Sequence, residues 1–458
     1  YMHQQYLDSI ALYQTFGHPH LFITMTCNPD WPEIKDNLEP GQTPLDQPDL
    51  VQRVFNLKKR QLIKDLENEM IFGRFKARTH SIEFQKRGFP HMHIIVWLDR
   101  ERHSFTPEEL DKIICAEIPD EFLDDCKTKN PLHKAVTDFM LHGPCASGWA
   151  CRRDGQHCRY GYPKDFQEET DMSEEGYPRY RRREPGKGGN CYVKEKYRNK
   201  NNTSYTNANV VPYNKYLLFK YNCHINVEYV NSIGAIKYHL KYVFKGSDRA
   251  TVSIDDNNEE QVQNQDEVQN FQNKRYVSGA ESCHRLRERE LAERKPSVHR
   301  LTLHLQNQQT VYFDANEKDQ CIERIERSER TKLTSFFELC DNGDKLAQTL
   351  LYRHLPQHYK WDTNKRKWIK RVKTADNIDI GVPDVIGRLY SIHPTQIQLF
   401  ALRLLLNHVK GPKSYEDIRT VDGKPYETFV DAAIALKLMK NDKLWIECMK
   451  EANESETN

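Results

Sequence analysis

A chain of 458 residues is long for one domain and predicts two or three, with ample length for a buried core. Its charged residues make up 29% of the chain and nearly balance, at net +2, so a polyanion would be held by local basic patches and not by the global field. Twelve cysteines scattered over this length exclude the disulfide framework of a small secreted domain, no run is long and apolar enough to span a membrane, and the first residues show no signal-peptide pattern. The chain reads as soluble and intracellular with reduced thiols, and its start at Tyr1 and polar tail suggest a piece of something longer.

Tyr1 to Gly17 reads as a short amphipathic helix with Tyr6, Ile10 and Tyr13 on one side and Leu7 beside them. Leu21 to Pro29 is β-rich and stopped by Asn28-Pro29, and Asp30 to Ile34 makes a turn. From Asp49 to Phe72, Val51, Val54, Phe55, Leu62, Ile63, Leu66 and Met70 recur at helical spacing and predict a long surface helix. Thr79 to Gln85 and His91 to Leu98 then alternate as two strands of a hairpin. Side chains two apart share a strand face, so His91 and His93 project together; if Gln85 lies across from His91, it shares that face, as does Glu83. On spacing alone, a polar sheet face without a metal is the better reading.

The stretch Phe84-Gln85-Lys86-Arg87-Gly88-Phe89-Pro90-His91-Met92-His93 resembles the histidine-hydrophobe-histidine motif of HUH endonucleases, specifically that of the Rep domain of Helitron transposases. Leu21 to Pro29 and Trp31-Pro32-Glu33-Ile34 resemble the first strand and turn of the same domains. The resemblance implies an α+β fold with an HUH-type nuclease core, an antiparallel sheet flanked by helices. It also implies a divalent cation, Mg2+ or Mn2+, on His91, His93 and Gln85, with Glu83 as the substitute ligand. Manganese suits such a nitrogen-containing site better than magnesium.

Residues from Ser104 to about Asn209 form a Cys-rich, basic insertion. His142, Cys145, Cys151, His157 and Cys158 crowd a Gly-rich segment, where Cys145, Cys151 and Cys158 are expected to bind a structural zinc. The fourth ligand is open among His142, His157 and the distant Cys191, and free structural cysteines are the equal alternative. Arg179, Tyr180, Arg181, Arg182 and Arg183 interleave guanidinium groups with an aromatic ring, as a single-strand DNA contact or a solvated loop would. Gly186 to Gly189 lacks the spacing of a phosphate loop.

Val210 to Leu218 and Cys223 to Glu228 also match the family, the latter as a strand. Ile233 to Gly246 reads as a helix closed by glycine, with Tyr238 and Tyr242 opposite the apolar stripe and Lys237, Lys241 and Lys245 beside them. It resembles the Tyr-x-x-x-Tyr helix of two-tyrosine HUH nucleases. That likeness implies Tyr238 and Tyr242 as nucleophiles, Lys241 as the group favouring the phenolate, and Lys237 and Lys245 as DNA contacts. The products would be a 5′-phosphotyrosine and a free 3′-hydroxyl.

The domain limits read as 1–250 for the nuclease, 251–270 for a polar linker and 271–458 for a mainly helical second domain. In that second part, Gly279 to Arg294 predicts a helix and Val298 to Leu305 a strand, with His304 structural. Tyr359 to Trp361 and Lys365 to Arg371 fit either a DNA contact or a hairpin packing two tryptophans, and His393 to Asn407 and Thr428 to Met439 predict buried helices. This half resembles the segment between nuclease and helicase of Helitron proteins, including Leu402 to Leu405 and Gly411 to Ile418. No Gly-x-x-x-x-Gly-Lys-Ser/Thr motif occurs, so the helicase domain expected C-terminal in the full-length protein lies outside this chain. The resemblance thus implies a fragment of a nuclear rolling-circle transposase that nicks and transfers single-stranded DNA at transposon ends and target. A catalytically silent single-strand binding module, or a plasmid or viral replication initiator, is the alternative.

Overall fold

The computed structural model describes residues 2–85, 88–100, 105–123, 127–145, 150–152, 157–172, 178–194, 203–230, 277–309, 330–371 and 384–439. The chain forms two compact units, one of residues 1–9 and 16–294, the other of residues 10–15 and 295–458. The first unit therefore takes in residues 271–294, which the sequence places in the second domain.

Seven strands belong to the first unit: β1 (Leu21–Thr26), β2 (Phe75–Phe84), β3 (Pro90–Leu98), β4 (Cys191–Lys194), β5 (Thr203–Thr206), β6 (Ile225–Tyr229) and β7 (Ala292–Lys295). Five make one sheet in the order β6-β1-β3-β2-β7, with β1 antiparallel to both β3 and β6 and β2 antiparallel to β3, while β4 and β5 pair separately. Strand alternation sorts the side chains. Leu21, Ile23 and Met25 of β1, Met92, Ile94 and Val96 of β3, and Ile225 and Val227 of β6 are fully buried on one side. They share a core with Val51, Val54, Phe55, Leu62 and Leu66 of the helix Pro48–Glu67. That helix opens with proline at its first position, where no intrahelical N–H is needed, and its buried residues recur at three and four.

The opening helix, α1 (Met2–Phe16), does not bury the stripe its apolar residues suggest. Tyr6 is 39% exposed, whereas Gln5, Asp8 and Ser9 are buried. Polar partners explain this: Arg294 binds Asp8 at 3.0 Å and also Gln5, and Ser9 meets Thr79 at 3.3 Å. The helix expected through Arg294 stops at Leu286. After Glu288, with φ of 51°, the chain runs into β7, and the Ile82 N–H donates to the Leu291 carbonyl at 2.7 Å.

In the second unit, β8 (Ser297–Leu301) pairs in parallel with β11 (Val385–Leu389), β9 (Tyr359–Asp362) forms a hairpin with β10 (Lys367–Lys370), and short β12 (Thr420–Val421) pairs with β13 (Lys424–Pro425). Helices Lys332–Asp341, Ile397–Leu406 and Phe429–Ala435 supply much of its core, in which Phe336 stacks on Tyr352. Among its described residues, six short strands accompany these helices. Trp361 and Trp368 meet edge to face at 5.3 Å, the hairpin packing that the basic aromatic patch allowed. His304 is hydrogen-bonded at both ring nitrogens, to the Leu305 carbonyl and the Thr331 hydroxyl.

The helix Gly279–Leu286 docks through His284, whose Nδ1 lies 2.6 Å from Gln52 Nε2 and whose Nε2 lies 3.3 Å from the Glu290 carbonyl. Gln52 donates to Nδ1 and the Nε2–H donates to the carbonyl, which fixes a neutral ring. Burial pushes His284 down to about 4. An unfolded chain takes up this proton near pH ~6.5 while the native state refuses it, so stability is full above that pH and declines as pH falls towards about 4, by about 3 kcal/mol at the lower end. We expect the apparent melting temperature of the first unit to fall between about pH 7 and about pH 5. A temperature constant over that interval would contradict the buried neutral imidazole.

Candidate functional site

The sheet face opposite the long helix carries the polar residues. β1 sets Thr24 opposite His93 and Thr26 opposite His91, and β2 sets Ser81 opposite His93 and Glu83 opposite His91. The two imidazole rings lie side by side with centroids 4.7 Å apart. Thr26 Oγ1 is 2.9 Å from His91 Nδ1, and Thr24 Oγ1 is 3.0 Å from His93 Nδ1. Phe22 stacks on His93 with the ring planes 9° apart. When the Thr24 hydroxyl accepts from His93 Nδ1–H, the lone pair of that ring is at Nε2, the arrangement that a metal-ligating histidine needs; at His91 the same arrangement requires the Gln85 amide to turn its oxygen towards Nδ1. The Glu83 carboxylate lies 3.5 Å from His93 Nε2.

Gln85 is not across from His91, because Glu83 holds that place. It sits just past the end of β2, with its amide Nε2 3.1 Å from His91 Nδ1, the nitrogen that Thr26 also engages. Burial, reinforced by the neighbouring His93 and His224, holds His91 well below the ordinary histidine range, so its ring is neutral at neutral pH. Further along the same face, Asn226 Nδ2 donates to Glu228 Oε1 at 3.2 Å, and burial raises the Glu228 carboxyl. The sequence reading missed Thr24, Thr26, His224 and Glu228. For the threonines the signal was present: their spacing of two in a strand matches that of the histidines.

A second cluster lies in the insertion. His142, Cys145, Cys151 and Cys158 bring their ligand atoms within 4.8 Å of one another, and among the described residues no other set of three or more His, Cys, Asp or Glu side chains does so. This set could hold zinc. His157 and Cys191 are exposed and outside it, which leaves His142 as the fourth member.

Residues 1–96 match the family model described as the Helitron helicase-like domain at the N-terminus. The Helitron match contains Thr24, Thr26, Glu83 and both histidines of β3, and ends before the insertion. Comparison with curated proteins gives no match for the chain.

Beyond the Helitron match, two residues of the insertion's basic run turn inward. Tyr180 and Arg182 are buried. Tyr180 Oη accepts from the Tyr229 N–H at 2.8 Å, while Arg182 Nη1 donates to the carbonyls of Asn207 at 2.6 Å and Val210 at 2.7 Å. Arg183 makes a two-pronged pair with Glu117, Arg181 lies between Asp111 and Glu117, and Arg179 is exposed, 3.9 Å from Asp165. Tyr180 and Arg182 therefore spend their polar atoms inside the unit, on partners that local composition does not reveal. Gly189 backs onto the Arg183 carbonyl, where a Cβ would come within 2.0 Å, so these glycines serve a tight turn. Tyr238, Tyr242, Lys237, Lys241 and Lys245 lie outside the described residues.

Arg182→Met should cost about 3 kcal/mol or more, because it strands buried carbonyls, whereas Arg179→Ala should change stability by less than about 0.5 kcal/mol. Denaturant titration of the two variants measures the difference. Equal, small effects would return the whole run to the surface.

Proposed function

We propose that the first unit is a metal-dependent endonuclease that nicks single-stranded DNA through a tyrosine and passes the strand on, as part of rolling-circle transposition. The observation that carries this reading is the pair of threonine-anchored imidazoles of His91 and His93, with the Glu83 carboxylate beside His93, within the stretch that matches the Helitron domain. The donor types suit a divalent cation, although their ligand atoms are not gathered as closely as those of the cysteine cluster and would have to converge on it. Two imidazole nitrogens and one carboxylate are a common open site for metals that polarise phosphate oxygens.

Glu83 is the better third ligand, because its carboxylate approaches His93 Nε2 whereas the Gln85 amide meets the opposite ring nitrogen of His91. A cation held by His91, His93 and Glu83 would supply Lewis-acid polarisation of the scissile phosphate. Thr24 and Thr26 orient the imidazoles, and Phe22 fixes the tilt of His93. Tyr238 and Tyr242 enter this reading through the resemblance of the helix predicted from their sequence to that of two-tyrosine nucleases. In the step, a phenol oxygen bonds to phosphorus, the bond to the 3′-oxygen breaks, and the phenolic proton ends on that oxygen, giving a 5′-phosphotyrosine and a 3′-hydroxyl. The new ester retains much of the energy of the old one, so a 3′-hydroxyl can reverse the reaction and join another strand. Lys237, Lys241 and Lys245 would favour the phenolate and hold the backbone phosphates.

The rival reading is a silent single-strand binding module, and one assay separates the two. The protein incubated with labelled single-stranded DNA and Mn2+ should give a denaturation-resistant adduct, which His91→Ala, His93→Ala and Glu83→Gln abolish with little loss of DNA binding. Gln85→Ala should retain it. Thr26→Val should weaken metal dependence by about tenfold to a hundredfold, as loss of an orienting partner does. No adduct with the native chain would favour the binder, and full activity in both histidine variants would remove the metal. Tyrosines one helical turn apart can reach one phosphate only in turn, so one Tyr→Phe change should remove most cleavage of a simple oligonucleotide, and Tyr242 is our choice for the first cut. Mass spectrometry of the DNA-linked peptide checks it: an adduct on Tyr238 alone reverses the order, and one on neither overturns the mechanism.

A further inference from the structure

We propose that His142, Cys145, Cys151 and Cys158 form a closed, structural zinc site that ties the cysteine segment of the insertion to itself, between the hydrogen bonds that anchor its two ends on residues 205–209. The inference stands apart from the nuclease reading, since it uses none of the residues of the histidine face.

Geometry comes first. The four ligand atoms lie within 4.8 Å of one another, with His142 Nε2 3.3 Å from Cys158 Sγ, and the three cysteines are free of disulfides. Around a tetrahedral zinc, with bonds of about 2.3 Å to sulfur and about 2.0 Å to nitrogen, ligand atoms sit about 3.5 to 3.8 Å apart. The cluster is of that size. His142 is flanked by the rings of Tyr160 and Tyr162, which limit its rotation.

The segment also needs such a fastening. Between Leu141 and Met172, no described residue joins the apolar core of the first unit, and residues 150–152 make only a single tight turn. What ties the segment down is polar and local. The His142 N–H donates to the Asn209 carbonyl at 2.9 Å, Tyr205 Oη donates to the Gly143 carbonyl at 2.8 Å, and the Lys164 N–H donates to the Ala208 carbonyl at 2.8 Å. Within the cluster, the Arg159 N–H donates to the Cys151 carbonyl at 2.9 Å. Both ends of the cysteine segment thus grip residues 205–209, just before the helix Lys215–Tyr221 and β6. A metal crosslinking His142 to Cys158 closes the loop between those two grips.

Three thiolates and one imidazole select zinc over magnesium, calcium or manganese, which prefer oxygen. Four protein ligands leave no open position for a water or substrate, so the role is structural. Binding releases three thiol protons and gives a complex of net charge −1.

The test is metal content of the full chain, purified without chelator and measured by elemental analysis. We expect about one zinc per chain, released by a thiol-blocking mercurial, and strong visible absorption of tetrahedral Co2+ with three sulfur ligands after cobalt exchange. Cys145→Ser and Cys158→Ser should lose the metal, His142→Cys should keep it, and His157→Ala and Cys191→Ser should leave it unchanged. Native chain holding neither zinc nor a tetrahedral cobalt spectrum would overturn the proposal, even if the cysteine variants fail to fold. Retention of full metal by Cys158→Ser would overturn the ligand set.

Discussion

The register of β1 against β3 is the constraint on which the first unit depends. Met25 pairs with Met92 and Ile23 with Ile94, and all four are fully buried against the long helix. Sliding either strand by one residue would turn Met92 and Ile94 onto the polar face and drive His91 and His93 into the apolar core. Each displaced apolar side chain would forfeit about 1.5 to 3 kcal/mol, and each buried imidazole would lose its hydroxyl partner. The core therefore sets the histidine face. Thr24 and Thr26 then add what the core cannot, a hydrogen bond to Nδ1 of each ring that decides where each imidazole points.

A different kind of order holds the insertion. Glu117 has an almost buried carboxylate that accepts from the Arg183 backbone and guanidinium, while its neighbour Arg181 stands 3.6 Å away. Burial alone would push this carboxyl up; the bonds from Arg183 outweigh it and hold it below its ordinary range. Asn207 links the same network to backbone, donating to the Arg183 carbonyl and accepting from the Ile118 N–H. Such pairs add little net stability when intact, but removal of one partner leaves a buried charge uncompensated at a cost of about 3 to 5 kcal/mol. They specify one arrangement where apolar packing is sparse.

Period-two patterns were the most legible part of the sequence. His91 and His93 were placed on one strand face correctly because a strand has no other choice, and the long helix emerged from its apolar spacing. Contacts between distant residues were not legible. Nothing near Arg182 announces that its partners are carbonyls at Ala116, Asn207 and Val210, so a run of arginines read as surface charge. Likewise, Gln5, Asp8 and Ser9 look like the wet side of α1 until Arg294 and Thr79 appear beside them. β7 was hidden for the same reason: Ala292 to Lys295 is charged and short, and becomes a strand because β2 offers it an edge. The sequence left open whether Gln85 lies across from His91; register puts Glu83 there.

The two metal sites proposed for this unit would also divide by chemistry. One would use two imidazoles and a carboxylate on a sheet face, with other positions left for water or phosphate. The other offers three sulfurs and an imidazole, with the tetrahedron filled. Zinc binds nitrogen and oxygen sites more tightly than manganese or magnesium does, so affinity alone would not keep it off the histidine face. Thiolates bind zinc more strongly still and accept manganese poorly. If both proposed sites hold metal, the sulfur site would saturate with zinc at free concentrations too low to occupy the histidine face, which would be left to the metal that is abundant. The separation works only if the cysteine set is complete, and the packing of His142 between Tyr160 and Tyr162 keeps its fourth member in place.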